Sequence, residues 1–388
     1  MLPLIKYAFH DEPQMRKKIA DFFLEDNFLS MGSYVEEYES EFAKKQERKY
    51  AVMVNSGSSA NLVLLQALLN IGTLKRGDRV GFSALTWSTN VMPIIQLGLI
   101  PVPIDCESVT LNISPQLLQK EVKNIQALFL THVLGFADDV NTLRTMCREN
   151  NVLLLEDTCE SLGSKIDKTL LGNFGEAATF SFYIGHHIST IEGGMVVTDD
   201  KRLYDALLIA RAHGWGRNLA KNDAQTLEEK NKISAFYARY TFYDLGFNVR
   251  PMELQGFIGI NQIMFWDEIV SQREQNFQKI NRIIKNNPNL KQYDLTHMSV
   301  ISNFAIPLLW KDEILFEKAL KRFTDAGVET RPIIAGDMTQ QPFYKKYVKT
   351  ERQCENASSI HKSGFYVGNN QHLSQDELDT LSQLISQT

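Results

Sequence analysis

The sequence predicts an α/β protein with a mostly parallel seven-stranded sheet and a smaller C-terminal α/β domain. Short apolar runs without period-two alternation recur as far as Thr198, and helical stretches separate most of them. This pattern is typical of a parallel sheet covered on both faces. A long helical period follows, and further strands and helices lie beyond it. Because a chain of 388 residues is too long to fold around a single hydrophobic core, we expect two domains.

The elements of the larger domain follow from this pattern in order. Residues 14–47 have the period of amphipathic helices, with a break near Met31-Gly32-Ser33. Strands are expected at Ala51–Val54, Arg79–Ala84, Pro101–Asp105, Ala127–Thr131, Val152–Glu156, Ala178–Phe182 and Met195–Thr198. Helices are expected at Leu62–Leu69, Thr89–Gly98, Ser114–Asn124, Val140–Asn150 and Lys201–Ala212.

The C-terminal elements begin after a charged stretch at Lys221–Lys232, which we expect to be a loop. A long helix is predicted from about 251 to 286, opened by Pro251 and closed before Pro288. Strands at Val300–Trp310 and Val328–Ile334, a helix at Glu313–Ala326 and a capping box at Ser374-Gln375-Asp376-Glu377 complete the list. We therefore predict domains at 1–255 and 256–388, linked by the long helix.

Composition excludes several classes of function. The net charge is −5 with a pI near 6.0, so nucleic acid is not an expected partner. The apolar run Val91–Ile104 is too short and too interrupted to span a membrane. The N-terminus lacks a secretory signal pattern, which favours a cytoplasmic location. The cysteines have no metal-site spacing and suggest a reduced compartment; they are Cys106, Cys147, Cys159 and Cys354.

Polar and aromatic side chains follow the predicted strands at the sheet edge where ligands bind. Ser56-Gly57-Ser58-Ser59 opens a helix after the first strand, either as a phosphate site or as a plain serine N-cap. Trp87 offers an aromatic plane, Asp157 a carboxylate and Ser181 a second hydroxyl. Phosphate donors, a stacking ring and an acid for the pyridine nitrogen are what pyridoxal phosphate (PLP) needs.

The chain resembles the DegT/DnrJ/EryC1/StrS family of sugar aminotransferases. The resemblance covers nearly the whole chain, and its motifs occur in the family's order: Met31-Gly32, Ser56-Gly57-Ser58, Glu156-Asp157, Ser181-Phe182, Glu192-Gly193-Gly194 and Leu245-Gly246-Phe247-Asn248-Val249-Arg250. It implies the aspartate-aminotransferase-like fold, known as fold type I.

One departure from the family pattern changes the expected reaction. Five residues after the serine corresponding to Ser181, the family has the lysine that binds PLP covalently, whereas this chain has His186. No lysine lies between Lys168 and Lys201. The substitution resembles the dehydratase branch of the family, which removes the C3 hydroxyl of a nucleotide-linked 4-keto-6-deoxy sugar. That likeness implies non-covalent PLP and pyridoxamine phosphate (PMP), L-glutamate as amino donor, release of 2-oxoglutarate and ammonia, and GDP-4-keto-6-deoxy-D-mannose as substrate.

The resemblance also implies roles for individual residues. His186 is the expected catalytic base, and His187 is expected to have a supporting role. Asp157 is expected to hold the pyridine nitrogen, and Glu160 is either a contact of the ring hydroxyl or a solvated helix residue. The remaining expected cofactor contacts are Gly57, Ser58, Trp87, Ser181 and, from a neighbouring subunit, Asn248. The last contact implies a homodimer with shared active sites.

Three further residues are candidates for substrate binding. Arg331 is a candidate for the glutamate carboxylate or the sugar-nucleotide, or else a surface arginine. His213 and Arg217 are candidates for the nucleotide-sugar site. Two rivals to the dehydratase remain open on the sequence: a sugar aminotransferase whose lysine is replaced by histidine, and a catalytically silent relative.

Overall fold

A seven-stranded sheet lies at the centre of the computed structural model, which describes residues 2–25, 27–349 and 352–387. The strands of the described chain are β1 (Tyr50–Val54), β2 (Arg79–Ser83), β3 (Ile100–Ile104), β4 (Ala127–Thr131), β5 (Leu153–Asp157), β6 (Lys165–Ile166), β7 (Thr169–Leu170), β8 (Ala177–Ser181), β9 (Gly194–Thr198), β10 (Met298–Val300), β11 (Ala305–Leu309), β12 (Thr330–Pro332) and β13 (Gly364–Gly368). The large sheet has the order β1-β9-β8-β5-β4-β2-β3. Only β9 runs antiparallel to its neighbours among these strands, so the predicted mostly parallel sheet is confirmed.

Helices cover both faces of this sheet, and separate apolar clusters fill the two interfaces. The helices are α1 (Glu12–Leu24), α2 (Ser33–Lys45), α3 (Gly57–Asn70), α4 (Met92–Gln96), α5 (Pro115–Gln119), α6 (Val140–Glu149), α7 (Lys201–Arg211), α8 (Lys221–Asn231), α9 (Ala235–Ala238), α10 (Glu253–Ile263), α11 (Trp266–Asn286), α12 (Glu313–Asp325), α13 (Pro342–Tyr347), α14 (Glu355–Ser363) and α15 (Gln375–Ser386). Short 3₁₀ helices lie at Ser88–Asn90, Val122–Asn124, Val133–Gly135 and Met338–Gln340.

Two small sheets complete the described fold. The antiparallel sheet β11-β13-β12 belongs to the C-terminal part, and β10 pairs with β6 of the N-terminal part. The N-terminal segment also crosses to the C-terminal part, where Leu2 forms a bridge with Val328. Residues on either side of the predicted boundary at 255/256 thus pair with each other. The division into two domains at this point stays a prediction.

The prediction of a loop at Lys221–Lys232 is wrong, because most of this stretch forms α8. The helix has no buried side chain, so it has no apolar stripe from which a helical period could be recognised. Its first turn is held instead by an ion pair of 2.7 Å between Lys201 Nζ and Asp223 Oδ2. The helix ends where Lys232 adopts a left-handed backbone conformation.

The single long helix predicted over 251–286 is also wrong, because it consists of α10 and α11. The chain turns at Met264-Phe265, and the ring centroid of Phe265 lies 4.3 Å from that of His10. Both helices bury apolar side chains with a helical period, so a change of direction between them leaves the pattern unchanged. The strand predicted at Val300–Trp310 is likewise divided, between β10 and β11.

Neither a membrane-spanning helix nor a metal centre is found in the described residues. None of their helices is both long and apolar enough to cross a membrane. No group of three histidine, cysteine or acidic side chains among them is arranged to hold a metal ion.

Candidate active site

A cavity of about 320 Å³ lies at the carboxyl edge of the large sheet, where parallel sheets bind ligands. Strands β1, β2, β5 and β8 end there, and residues of the C-terminal part close the opposite wall. The lining residues are Ser56, Gly57, Ser58, Trp87, Thr89, Asn90, Thr131, Asp157, Cys159, Glu160, Ser181, Tyr183, His186, Glu192, Phe304, Ile334 and Tyr366. Seven of the predicted site residues are among them: Gly57, Ser58, Trp87, Asp157, Glu160, Ser181 and His186.

The floor of the cavity is the N-terminus of α3. Ser56 caps the helix by accepting a hydrogen bond of 3.1 Å from the Ser59 amide, so the N-cap, one of the two readings left open by the sequence, is present. A Cβ on Gly57 would lie 2.6 Å from Cβ and 2.9 Å from Oγ of Ser181. Only glycine therefore lets the helix approach the second serine this closely. First-turn amides and the nearby Ser181 hydroxyl together suit a phosphate group.

Asp157 presents its carboxylate to the cavity from the end of β5. The side chain is buried, and Oδ2 accepts a hydrogen bond of 3.0 Å from Nδ2 of Asn61. Oδ1 accepts a hydrogen bond of 2.9 Å from the Cys159 amide. These donors fix the carboxylate where it can pair with a protonated ring nitrogen. Sequence reasoning missed Asn61, which lies in α3 directly before the helix predicted at Leu62–Leu69.

The aromatic and amide groups of the wall also fit a polar aromatic ligand. Trp87 is 51% exposed and presents its ring to the cavity. Asn90 is completely buried, and neither Nδ2 nor Oδ1 has a hydrogen-bond partner among the described residues. Buried amides are normally paired, so Asn90 has hydrogen-bonding capacity that a ligand can use. Nothing in the sequence indicated a role for Asn90 beyond its place shortly after Trp87.

His186 lies in the turn after β8, where its amide donates to the Tyr183 carbonyl over 2.8 Å. Nδ1 lies 2.6 Å from the carbonyl oxygen of Cys159. Because a carbonyl only accepts, Nδ1 carries the proton and Nε2 keeps a free lone pair. Burial lowers the pKa of His186 to about 4, so the imidazole is neutral at neutral pH. The residue therefore has the protonation state of a general base.

His187 faces away from the cavity. It is buried, and Nε2 donates to the Ser302 carbonyl over 2.9 Å. Burial holds the pKa of His187 well below its usual value, so it is also neutral. Its contacts fit the predicted supporting role, because they join the turn after β8 to the segment before β11.

Glu160 also faces the cavity, three residues after Asp157. Oε2 accepts a hydrogen bond of 2.9 Å from the Leu134 amide. Burial raises the pKa of Glu160 to about 8, against the effect of that amide. At neutral pH its carboxyl group is therefore protonated and able to donate a hydrogen bond into the cavity. Of the two readings left open by the sequence, this position favours a cofactor contact.

A second cavity of about 600 Å³ adjoins the first and shares Trp87, Tyr183, Phe304, Ile334 and Tyr366 with it. Arg331 lines this second cavity, where it forms an ion pair of 2.5 Å with Glu329. The pair fits a substrate-binding position beside the first cavity.

The remaining three predicted residues lie outside both cavities within one chain. His213 has a left-handed backbone, and its ring centroid lies 5.1 Å from that of Trp215. The guanidinium group of Arg217 lies over the ring of Trp215, 6.0 Å from the ring centroid. Asn248 accepts a hydrogen bond of 3.1 Å from Nε of Arg250. Their roles stay predictions.

No lysine is among the residues that line the first cavity in the described part of the chain. A covalent link between PLP and the protein therefore has no amine at this place.

Comparisons with known proteins show which proteins this chain resembles. The model of the DegT/DnrJ/EryC1/StrS aminotransferase family matches residues 11–386. GDP-4-keto-6-deoxy-D-mannose 3-dehydratase of Escherichia coli O55:H7 is 35% identical over 373 residues, which cover 93% of this chain and 94% of that enzyme. A structure of the E. coli enzyme with bound hydrated PLP matches with a TM-score of 0.91 at 33% identity and covers 99% of each chain. A structure of GDP-4-keto-6-deoxymannose-3-dehydratase with a trapped PLP-glutamate geminal diamine matches with a TM-score of 0.90 at 32% identity, covering 99% of this chain and 100% of that one.

Proposed function

The chain belongs to the DegT/DnrJ/EryC1/StrS aminotransferase family, and from this we propose that it is a PLP-dependent 3-dehydratase of a GDP-linked 4-keto-6-deoxyhexose. The substrate is GDP-4-keto-6-deoxy-D-mannose, and L-glutamate is the amino donor. One observation carries the proposal: the described residues that line the cavity include a neutral His186 and no lysine. The expected fold type I is confirmed by the match to related structures.

The residues present fit the cofactor. The N-terminus of α3, with Gly57 and Ser58, and the hydroxyl of Ser181 would hold the phosphate. Asp157 would pair with the ring nitrogen, and Trp87 would cover the ring face. When bound, the cofactor takes an amino group from glutamate and serves as the electron sink for loss of the sugar's C3 hydroxyl.

His186 supplies the proton transfer that this reaction needs. Nε2 accepts a proton and returns one, while Nδ1 stays bound to the Cys159 carbonyl and keeps the ring in place. An imidazole cannot form the covalent link that a lysine forms. The sugar therefore leaves with the nitrogen as an enamine, which tautomerises and takes up water to give ammonia and the 3-deoxy 4-keto sugar, so the nitrogen is not retained in the product.

An aminotransferase and a silent relative are both less well supported. An aminotransferase of this family needs its lysine, which the described cavity lacks. A silent relative has no need of a fixed Asp157 carboxylate, an unpaired Asn90 and an oriented His186 in one cavity.

The proposal includes a homodimer with shared active sites in the cytoplasm. Asn248 lies outside its own chain's cavity, as expected of a residue that serves a neighbouring subunit. The segment before it exposes large apolar side chains, which favour contact with another chain: Phe236, Tyr237, Tyr240, Phe242 and Leu245. Four free thiols, three of them buried, suit a reducing compartment.

The deciding experiment uses the purified protein with PLP, L-glutamate and GDP-4-keto-6-deoxymannose. We expect equal amounts of 2-oxoglutarate, ammonia and a 3-deoxy sugar, measured by enzymatic assay and mass spectrometry. An amino sugar as the product would overturn the dehydratase reading in favour of transamination. Absence of turnover with this and other nucleotide sugars would support the silent relative. Borohydride should reduce bound PLP without attaching it to the chain, because no lysine lines the cavity.

A further inference from the structure

A buried arginine lies behind the turn that carries His186. Arg273 belongs to α11 and is only 1% exposed. Its Nη1 donates to the carbonyls of Phe304, over 3.0 Å, and Asn369, over 2.5 Å. Its Nη2 donates to the carbonyl of His186 over 3.4 Å. One guanidinium group therefore connects the turn after β8, the segment before β11 and the loop after β13.

The charge of Arg273 has no counter-ion in the described part of the chain, where its partners are backbone carbonyls. Its Nε has no partner there at all. Burial lowers the pKa of Arg273 to about 9, which still leaves it charged at neutral pH. A buried cation without a counter-ion is costly, and Arg273 also lines the second cavity, so fold stability alone does not account for an arginine here.

Groups of both charges face His186 from the surrounding elements. The titratable or charged ones are Asp157 at the end of β5, Cys159 and Glu160 after it, Tyr183 and His187 in the same turn, Glu192 before β9, Tyr366 on β13 and Arg273 on α11. Burial and then Arg273 lower the pKa of His186, while the Cys159 carbonyl and the Asp157 charge raise it. The positive charge of Arg273 therefore counteracts the effect of the Asp157 charge on the pKa of this imidazole.

We propose that Arg273 is a positioning residue for the base: it fastens the turn that carries His186, and its charge opposes that of Asp157 at the imidazole. The inference rests on the proposed function, in which His186 is that base. A planar guanidinium provides both effects, because it donates to several carbonyls at once and stays charged when buried. A lysine would supply the charge without the fork of donors.

The test compares Arg273→Gln with Arg273→Lys in the PLP-loaded protein. Arg282→Gln is the matched control, since Arg282 lies on the same helix and is exposed. The titration of His186 is followed by NMR with histidine labelled with carbon-13 at Cε1, and His186→Asn identifies its signal. The pH profile of kcat and KM is measured on the same preparations.

We expect Arg273→Gln to raise the titration midpoint of His186 and to move the acid limb of the rate profile to higher pH, because the opposing cation is gone. At neutral pH kcat should fall about 10²-fold through loss of positioning, with little change in KM. Arg273→Lys should keep the midpoint near that of the unsubstituted protein, and Arg282→Gln should change neither.

An unchanged His186 midpoint in Arg273→Gln, or equal shifts in Arg273→Gln and Arg273→Lys, would overturn the proposal. If Arg273→Gln does not fold, Arg273→Lys still decides, because it keeps the charge without the fork of donors: a lower kcat at an unchanged His186 midpoint supports the proposal, and an unchanged kcat overturns it. The titration needs no turnover. A failure of the dehydratase assay is therefore seen separately from a failure of this inference.

Discussion

At the residue scale, the hydrogen bond from Nδ1 of His186 to the Cys159 carbonyl determines what the imidazole can do. It selects the tautomer with a free Nε2 and holds the ring against Phe304, whose centroid lies 4.9 Å away. The adjacent His187 has the same side chain but is bonded to Ser302 on the other side of the turn. Two neighbouring histidines thus differ in the direction of one hydrogen bond, and only one faces the cavity.

Replacing the base should separate binding from chemistry. His186→Asn keeps a side-chain donor for the Cys159 carbonyl but removes the basic nitrogen. We expect PLP to bind with similar affinity, by absorbance titration, while turnover falls about 10²- to 10⁴-fold. The matched variant His187→Ala should mainly reduce stability, by about 1–3 kcal/mol, because the buried Ser302 carbonyl loses its donor. Full activity of His186→Asn would contradict its role as the base.

Glu160 should make stability depend on pH. Burial raises its folded pKa to about 8, so between the unfolded value near 4.3 and about 8 the folded state binds the extra proton. Its contribution to stability is complete below the unfolded pKa and is lost as the pH rises through about 8. Over this pH range, the melting temperature of the cofactor-free protein should therefore fall more in the unsubstituted protein than in Glu160→Gln. Parallel pH curves for the two proteins would refute the raised pKa.

At the element scale, the cavity depends on how closely α3 approaches the end of β8. The close approach at Gly57 brings the first turn of the helix and the Ser181 hydroxyl to one place. The helices that cover the sheet and the ends of its strands were predictable from the sequence, because the spacing of apolar residues shows which faces of an element are buried. The exposed α8 was missed because it buries no side chain. The turn between α10 and α11 was missed because both helices keep the same apolar period.

Gly57→Ala should damage the phosphate site while leaving the sheet intact. The new Cβ would lie 2.6 Å from Cβ of Ser181, so the helix or the strand end must move. Overpacking of this kind costs about 1–3 kcal/mol, which corresponds to a rise of about 5- to 150-fold in the Kd for PLP if the whole cost falls on binding. Absorbance titration measures the affinity, and circular dichroism checks the fold. Unchanged affinity would mean that this approach does not shape the phosphate site.

At the scale of the whole molecule, one chain holds most of the candidate site but leaves Asn248 outside it. The residues next to predicted strand ends were found from the sequence, because the topology of a parallel sheet brings those ends together. Asn61, Asn90 and Arg273 were not found, since they act from helices and loops whose placement depends on tertiary packing. The resemblance alone indicated Asn248, and its test requires two chains.

Subunit complementation should reveal a shared site. His186→Asn and Asn248→Ala should each have low activity alone. In a mixed dimer, one site combines an intact His186 from one chain with an intact Asn248 from the other. After subunit exchange, random pairing should restore about a quarter of normal activity, because about half of the dimers are mixed and each has one good site. No recovery, with mixed dimers verified by tagged chains, would place both residues in the same chain's site.

The absence of lysine from the described lining of the cavity also makes PLP a dissociable ligand subject to mass action. Its occupancy then follows the free PLP concentration, and dilution or dialysis should empty the protein reversibly. Above the Kd, each tenfold increase in free PLP should add about 1.4 kcal/mol to the free energy of unfolding. The melting temperature should therefore rise with the logarithm of PLP concentration. The activity of such an enzyme in the cell depends on cofactor supply as well as on its own abundance.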